Sequence, residues 1–132
     1  VTAEAAVFNL LSNHAGVSGL VGSRIYPVKL PQDPTYPALT YFRVSGLRHS
    51  VMCNDTGIVE KRIQISSWAD SYAGVNALAE QVRDAMQRTS GTFAGVEIID
   101  TFMDGDGPEI WEDEVSAYQA ITDCNVIYRE QV

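Results

Sequence analysis

Basic residues are scarce in this chain: nine Lys and Arg stand against seventeen Asp and Glu among 132 residues, a net charge of −8. A protein that grips nucleic acid neutralises phosphate with clustered cations, so this balance argues against that class. Long apolar runs are missing too. None approaches the roughly 20 residues that span a bilayer, and the opening VTAEAAVFNLL lacks the basic start of a secretory signal. A soluble protein made in the cytoplasm, with no membrane partner, is expected. Histidine is limited to His14 and His49. Neither has a neighbouring carboxylate or cysteine in sequence to build a triad or a metal site. Both read as surface residues, His14 as a complement to the negative end of a helix. The two cysteines, Cys53 and Cys124, match neither a paired metal-ligand spacing nor a disulfide framework, and free thiols are expected. No glycine-rich stretch ends in Gly-Lys-Ser/Thr, and GVSGL around Ser18 lacks the flanking glycine spacing and the strand-turn-helix context of a nucleophile elbow. No cofactor is implied.

With 45% apolar and 20% charged residues, the chain has a core and is too little biased for disorder. One domain over residues 1–132 is expected. Ala3, Ala6, Val7, Leu10 and Leu11 recur at helical spacing behind a possible Thr2 cap, predicting a helix over 3–13. Glycines at 16, 19 and 22 then predict a short broken turn rather than a long second helix. A brief strand at Ile25 and Tyr26 is followed by KLPQDPTYP. Its prolines at 31, 34 and 37 fix their own φ and push their predecessors out of the helical region, making a stiff connector.

Residues 38–45 read as a strand, and LRHSVMCNDTG as a long connection forming an extended hairpin tip near 46–58. From Ile58 to Trp68 the alternation is clean, with Val59, Ile63 and Ile65 inward and Glu60, Arg62, Gln64 and Ser66 outward. Asp70 or Ser71 caps a helix whose Val75, Leu78, Ala79, Val82 and Met86 form one apolar stripe. VEIIDTFM is another strand, broken by DGDGP, and residues 115–128 form the last, with Ile121 and Ile127 spoiling its polar face. The sum is an α+β fold: an antiparallel sheet of four or five strands packed by one short N-terminal and one longer central helix.

Charge is unevenly distributed. Residues 1–49 sum to +2, residues 50–95 to −1 and residues 96–132 to −9. The asymmetry reads either as solvated surface or as preparation for a head-to-tail contact between copies. DGDGPEIWEDE, an acidic loop over 104–114, is the densest run, but its carboxylates do not line up with the ligand positions of an EF-hand. It is read as a solvated turn or an anionic assembly surface, with no metal assigned. A pair of its acids could also serve a small glycoside hydrolase, if they faced each other across a cleft. Trp68 and Trp111 are packing residues or interface anchors.

LVGSRIYPVKLPQDPTYPALTYFRVSG, RIQISSWADSYAGVNALAEQVRDAM and the closing acidic turn with its long strand together resemble the tail-completion, or tail-terminator, proteins of long-tailed bacteriophages. The motifs are RIYP at 24–27, LP at 30–31, YPALTY at 36–41 and WADSY at 68–72, and the resemblance covers roughly residues 5–128. It implies a structural virion subunit without catalytic residues. The subunit would form a ring, commonly a hexamer, at the head-proximal end of the tail, stop tube growth and join the tail tube protein to the neck or connector. DNA would pass through the centre without specific binding. A head-closure or adaptor protein of the neck is the near alternative. The candidate subunit or neck contacts are Arg24, Tyr26, Pro31, Pro34, Pro37, Arg48, Trp111, Glu112, Asp113 and Glu114. The candidate channel-facing acids are Asp104, Asp106 and Glu109.

Overall fold

In the computed structural model, the described residues are 3–32, 34–50, 55–93, 95–113 and 116–129, with backbone alone at 3, 46–50, 55–57 and 104–108. Helix α1 (Ala3–Asn13) buries Ala6, Val7, Leu10 and Leu11. A second helix, α2 (Ala15–Val21), stands where a broken turn was expected. His14 is its N-cap, Nδ1 accepting from Val17 N at 3.3 Å, rather than a complement to the end of α1. At Gly16 a Cβ would come within 2.0 Å of Gln81 Oε1, so the missing side chain permits close approach to the third helix. Gly22, at φ 59, ends α2 in a conformation that favours glycine.

Six strands follow: β1 (Ile25–Pro27), β2 (Ala38–Ser50), β3 (Asp55–Ala69), β4 (Gly91–Phe93), β5 (Val96–Glu112) and β6 (Ala117–Arg129). They form one sheet in the order β1-β2-β3-β6-β5-β4. Four or five antiparallel strands were expected. The unexpected member is the three-residue edge strand β4, and β1, expected as a brief strand, runs parallel to β2 rather than antiparallel. Strands β2 and β3 pair from Ala38↔Trp68 out to Ser50↔Asp55, which carries the ladder into the segment expected to form the hairpin tip, whose residues 51–54 lie outside the described residues.

The larger correction concerns the acidic run. DGDGP does not break the strand: β5 continues through it to Glu112, absorbing the glycines and Pro108 at register shifts between Met103 and Gly105 and between Asp106 and Glu109. Since β4 pairs only with Val96–Ile98, the rest of β5 has β6 on one side alone, where a proline removes no ladder bond. The acidic residues to Glu112 therefore ride on a strand instead of a loop.

Helix α3 (Tyr72–Met86) starts at Ser71, whose Oγ accepts from Gly74 N at 3.1 Å, and buries Val75, Leu78, Val82, Ala85 and Met86. Together with α1 and α2 it covers the sheet face that carries Leu39, Ile63, Ile65, Cys124 and Val126. Residues 119, 121, 123, 125 and 127 of β6 occupy the opposite face and are all half-buried. Ser66, expected to point outward to solvent, is buried there and accepts from Gln119 Nε2 at 3.0 Å. Trp68 Nε1 donates to Thr40 Oγ1 on the same face at 3.0 Å.

The end of α3 is tied to β5 chiefly through Thr101. Thr101, 1% exposed, donates through Oγ1 to Met86 O and accepts from Thr89 N at 3.0 Å, while its own carbonyl accepts from Arg88 N at 2.7 Å. Thr101→Val keeps the volume but leaves a buried carbonyl and an amide without this partner. We expect a loss of about 1–3 kcal/mol, seen as a lower urea midpoint at unchanged m-value.

Candidate functional site

Two surfaces on opposite flanks of the sheet gather the sequence-nominated residues. One is the connector between β1 and β2. Arg24, nominated as a contact residue, is turned inward: Nε donates to Pro37 O at 2.8 Å and Nη2 to Leu20 O at 3.2 Å, pinning the connector to the end of α2. Tyr26, Pro34 and Pro37 are half-buried, whereas Pro31 is exposed. Of Arg48 only the backbone, in β2, is described.

Val28 is a residue that sequence reasoning missed. It is 68% exposed and holds φ at 68, with its N–H donating to Tyr41 O at 2.9 Å. A positive φ is rare for a β-branched residue, and no periodicity signals it.

The other surface lies where β5 turns into β6 beside the start of α3. Trp111, 46% exposed, stands edge-on to Tyr118 with ring centroids 4.8 Å apart. Tyr118 in turn meets Tyr72 edge-on at 5.8 Å. Register explains the convergence, since Trp111 pairs with Tyr118 and Tyr118 with Ala69, three residues before Tyr72. Edge-to-face geometry is among the favoured ones for aromatic pairs. Asp113 accepts from Trp111 Nε1 and orients the indole. Glu112 is half-buried and Asp113 exposed. Glu114 lies outside the described residues.

Tyr72 and Tyr118 were not nominated from sequence. Tyr118 falls within the last expected strand and Tyr72 within the WADSY motif, and only the pairing of β3, β6 and β5 unites them with Trp111.

Glu109 is exposed and borders an open groove of about 340 Å³ between α3 and the β5–β6 ladder, lined also by Asn76, Glu80, Arg83 and Thr122. Asp104 and Asp106 are described by backbone alone, in β5. Of the described acids of this flank, Asp113 thus touches the aromatic cluster, while Glu109 borders the groove beside α3. On the other flank the connector carries Lys29, which is exposed, and Asp33, which lies outside the described residues, with Arg24 half-buried just ahead of β1.

No curated protein matches this chain. Among solved structures, a chain from the virion of a native gene transfer agent (GTA) particle superposes with a TM-score of 0.78. The match covers 96% of this chain and 94% of that one at 16% identity, a likeness of fold. The family profile of tail completion protein gp17 matches residues 5–129. That span takes in both flanks and every helix and strand but the first two residues of α1, and the chain belongs to the tail completion protein gp17 family.

Proposed function

We infer that this chain is a structural subunit of a phage-type tail that closes into a ring, commonly of six copies, at the head-proximal end of the tail tube. There it ends tube growth and joins the tube to the neck or connector protein. The observation that carries this reading, beyond family membership, is the pair of unlike surfaces on opposite flanks of one sheet: an acidic aromatic patch on one side and a stiff connector with exposed Lys29 on the other. Unlike surfaces on one subunit make heterologous contacts, and these build rings when the rotation closes. Opposed charge orients the approaching copies.

Asp104, Asp106 and Glu109 are assigned to the channel. Carboxylates there repel passing phosphate, which keeps DNA from sticking to the wall. The ring works in the virion and is assembled in the host cytoplasm.

Removing the protein from its virus separates the two places it could occupy. Overlong tubes are the expected outcome and identify a terminator. Tails of normal length that fail to join heads would move the protein to a head-closure or adaptor position. Negative-stain images of the purified chain supply the independent check: rings are expected, and a protein monomeric at every concentration would remove the ring from the reading.

A further inference from the structure

We propose that the connector of one copy, through Val28, Lys29 and Pro31, seats on the Tyr72–Trp111–Tyr118 patch of the next copy. The proposal rests on the ring reading and names the two surfaces that meet.

The argument starts from Val28. A positive φ costs an L-residue roughly 1–2 kcal/mol, and at Val28 it presents a β-branched side chain to solvent, 68% exposed. The conformation is held firmly, with Val28 N donating to Tyr41 O at 2.9 Å and Lys29 N to Pro27 O at 2.7 Å, while Arg24 pins the far end of the connector at Pro37. Within the subunit this side chain gains little burial in return, and strain of this kind collects at binding surfaces. A connector already ordered loses little entropy when it docks.

The patch offers what such an arm needs. Tyr72 is 53% and Trp111 46% exposed, and flat aromatic rings accept aliphatic side chains and proline rings while excluding water. Charge matches locally as well: Lys29, next to Val28 in the arm, is exposed, and Glu112 and Asp113 follow Trp111 in the chain. The strand order places β1 four strand spacings from β5, about 19 Å at the usual separation. Arm and patch of one copy therefore sit on different flanks, as a closing head-to-tail contact requires.

The chain has only two lysines, Lys29 and Lys61, and Lys61 faces Glu4 at 3.4 Å. Zero-length carbodiimide coupling of lysine to carboxylate is therefore simple to map. Assembled protein mixed from light and heavy-isotope copies should yield a mixed-label link from Lys29 to Glu112 or Asp113. Val28→Asn, which places a residue tolerant of positive φ at this position, should raise the concentration for half-assembly about tenfold or more without lowering Tm. Rings that form with Lys29 linked elsewhere or not at all would overturn this docking and leave the ring standing. Protein that never assembles would end both. An assembly indifferent to Val28→Asn would remove the arm from the contact.

Discussion

Trp111→Ala should leave a folded subunit that assembles poorly. The indole is nearly half exposed and touches Tyr118 at one edge, so its loss opens no core cavity and the thermal transition should move little. Assembly is another matter. Aromatic anchors at the centre of an interface cost about 2 kcal/mol or more when truncated, which is about thirty-fold in each contact's equilibrium constant. Every copy in a ring carries the lesion, so the penalty recurs at each contact around the circle. The loss of Trp111 also frees Asp113 from the indole N–H that orients it. Sedimentation velocity over a concentration series should show monomer where the parent chain forms rings. Phe8→Ala, an aromatic of comparable exposure that rests on Tyr41 across the helical layer, serves as the control and should assemble normally. Unchanged rings after Trp111→Ala would remove the aromatic patch from the interface.

Periodicity made some elements legible and left others hidden. Helix α1, the Ser71 cap of α3 and the apolar stripe below it follow from residues within one or two turns of each other. The inward face of β3 follows from alternation, which needs no knowledge of the partner strand. The strand through DGDGP was hidden because its support comes from β6, and because an edge tolerates glycine and proline that a central strand would not. The parallel pairing of β1 with β2 was hidden for the same reason, since three residues carry no sign of which neighbour they will meet.

The candidate site divides along this line. Pro31 and Trp111, nominated from composition and local sequence, are exposed. The inward turn of Arg24, the outward Val28 and the meeting of Tyr72 with Tyr118 depend on register and backbone conformation, which no single stretch of sequence states.

Cys124 gives the fold a marked alkaline limit. Its thiol is fully buried, Sγ lying 3.5 Å from Ile63 O, and burial, assisted by the negative charge of Asp123, pushes its pKa from the ordinary 9.0 up to about 12. Below pH 9 the thiol is protonated in both folded and unfolded chains, and its full contribution to stability is present. Between pH 9 and about 12 the unfolded chain gives up this proton while the folded chain keeps it. Unfolding is then favoured by roughly 1.4 kcal/mol per pH unit, of the order of 4 kcal/mol across the window. Tyr41, raised by burial and by the nearby Glu4 carboxylate, acts in the same direction at the upper end. Cys124→Ala isolates the thiol. At pH 7 the variant should be less stable by about 1 kcal/mol, the scale of one deleted buried methyl group. As pH rises the parent loses stability faster, so the two curves should cross near pH 10 and the variant should be the more stable protein at pH 11. Urea unfolding at pH 7, 9, 10 and 11 measures this directly, and a constant gap between the two chains at every pH would show that Cys124 ionises as easily folded as unfolded.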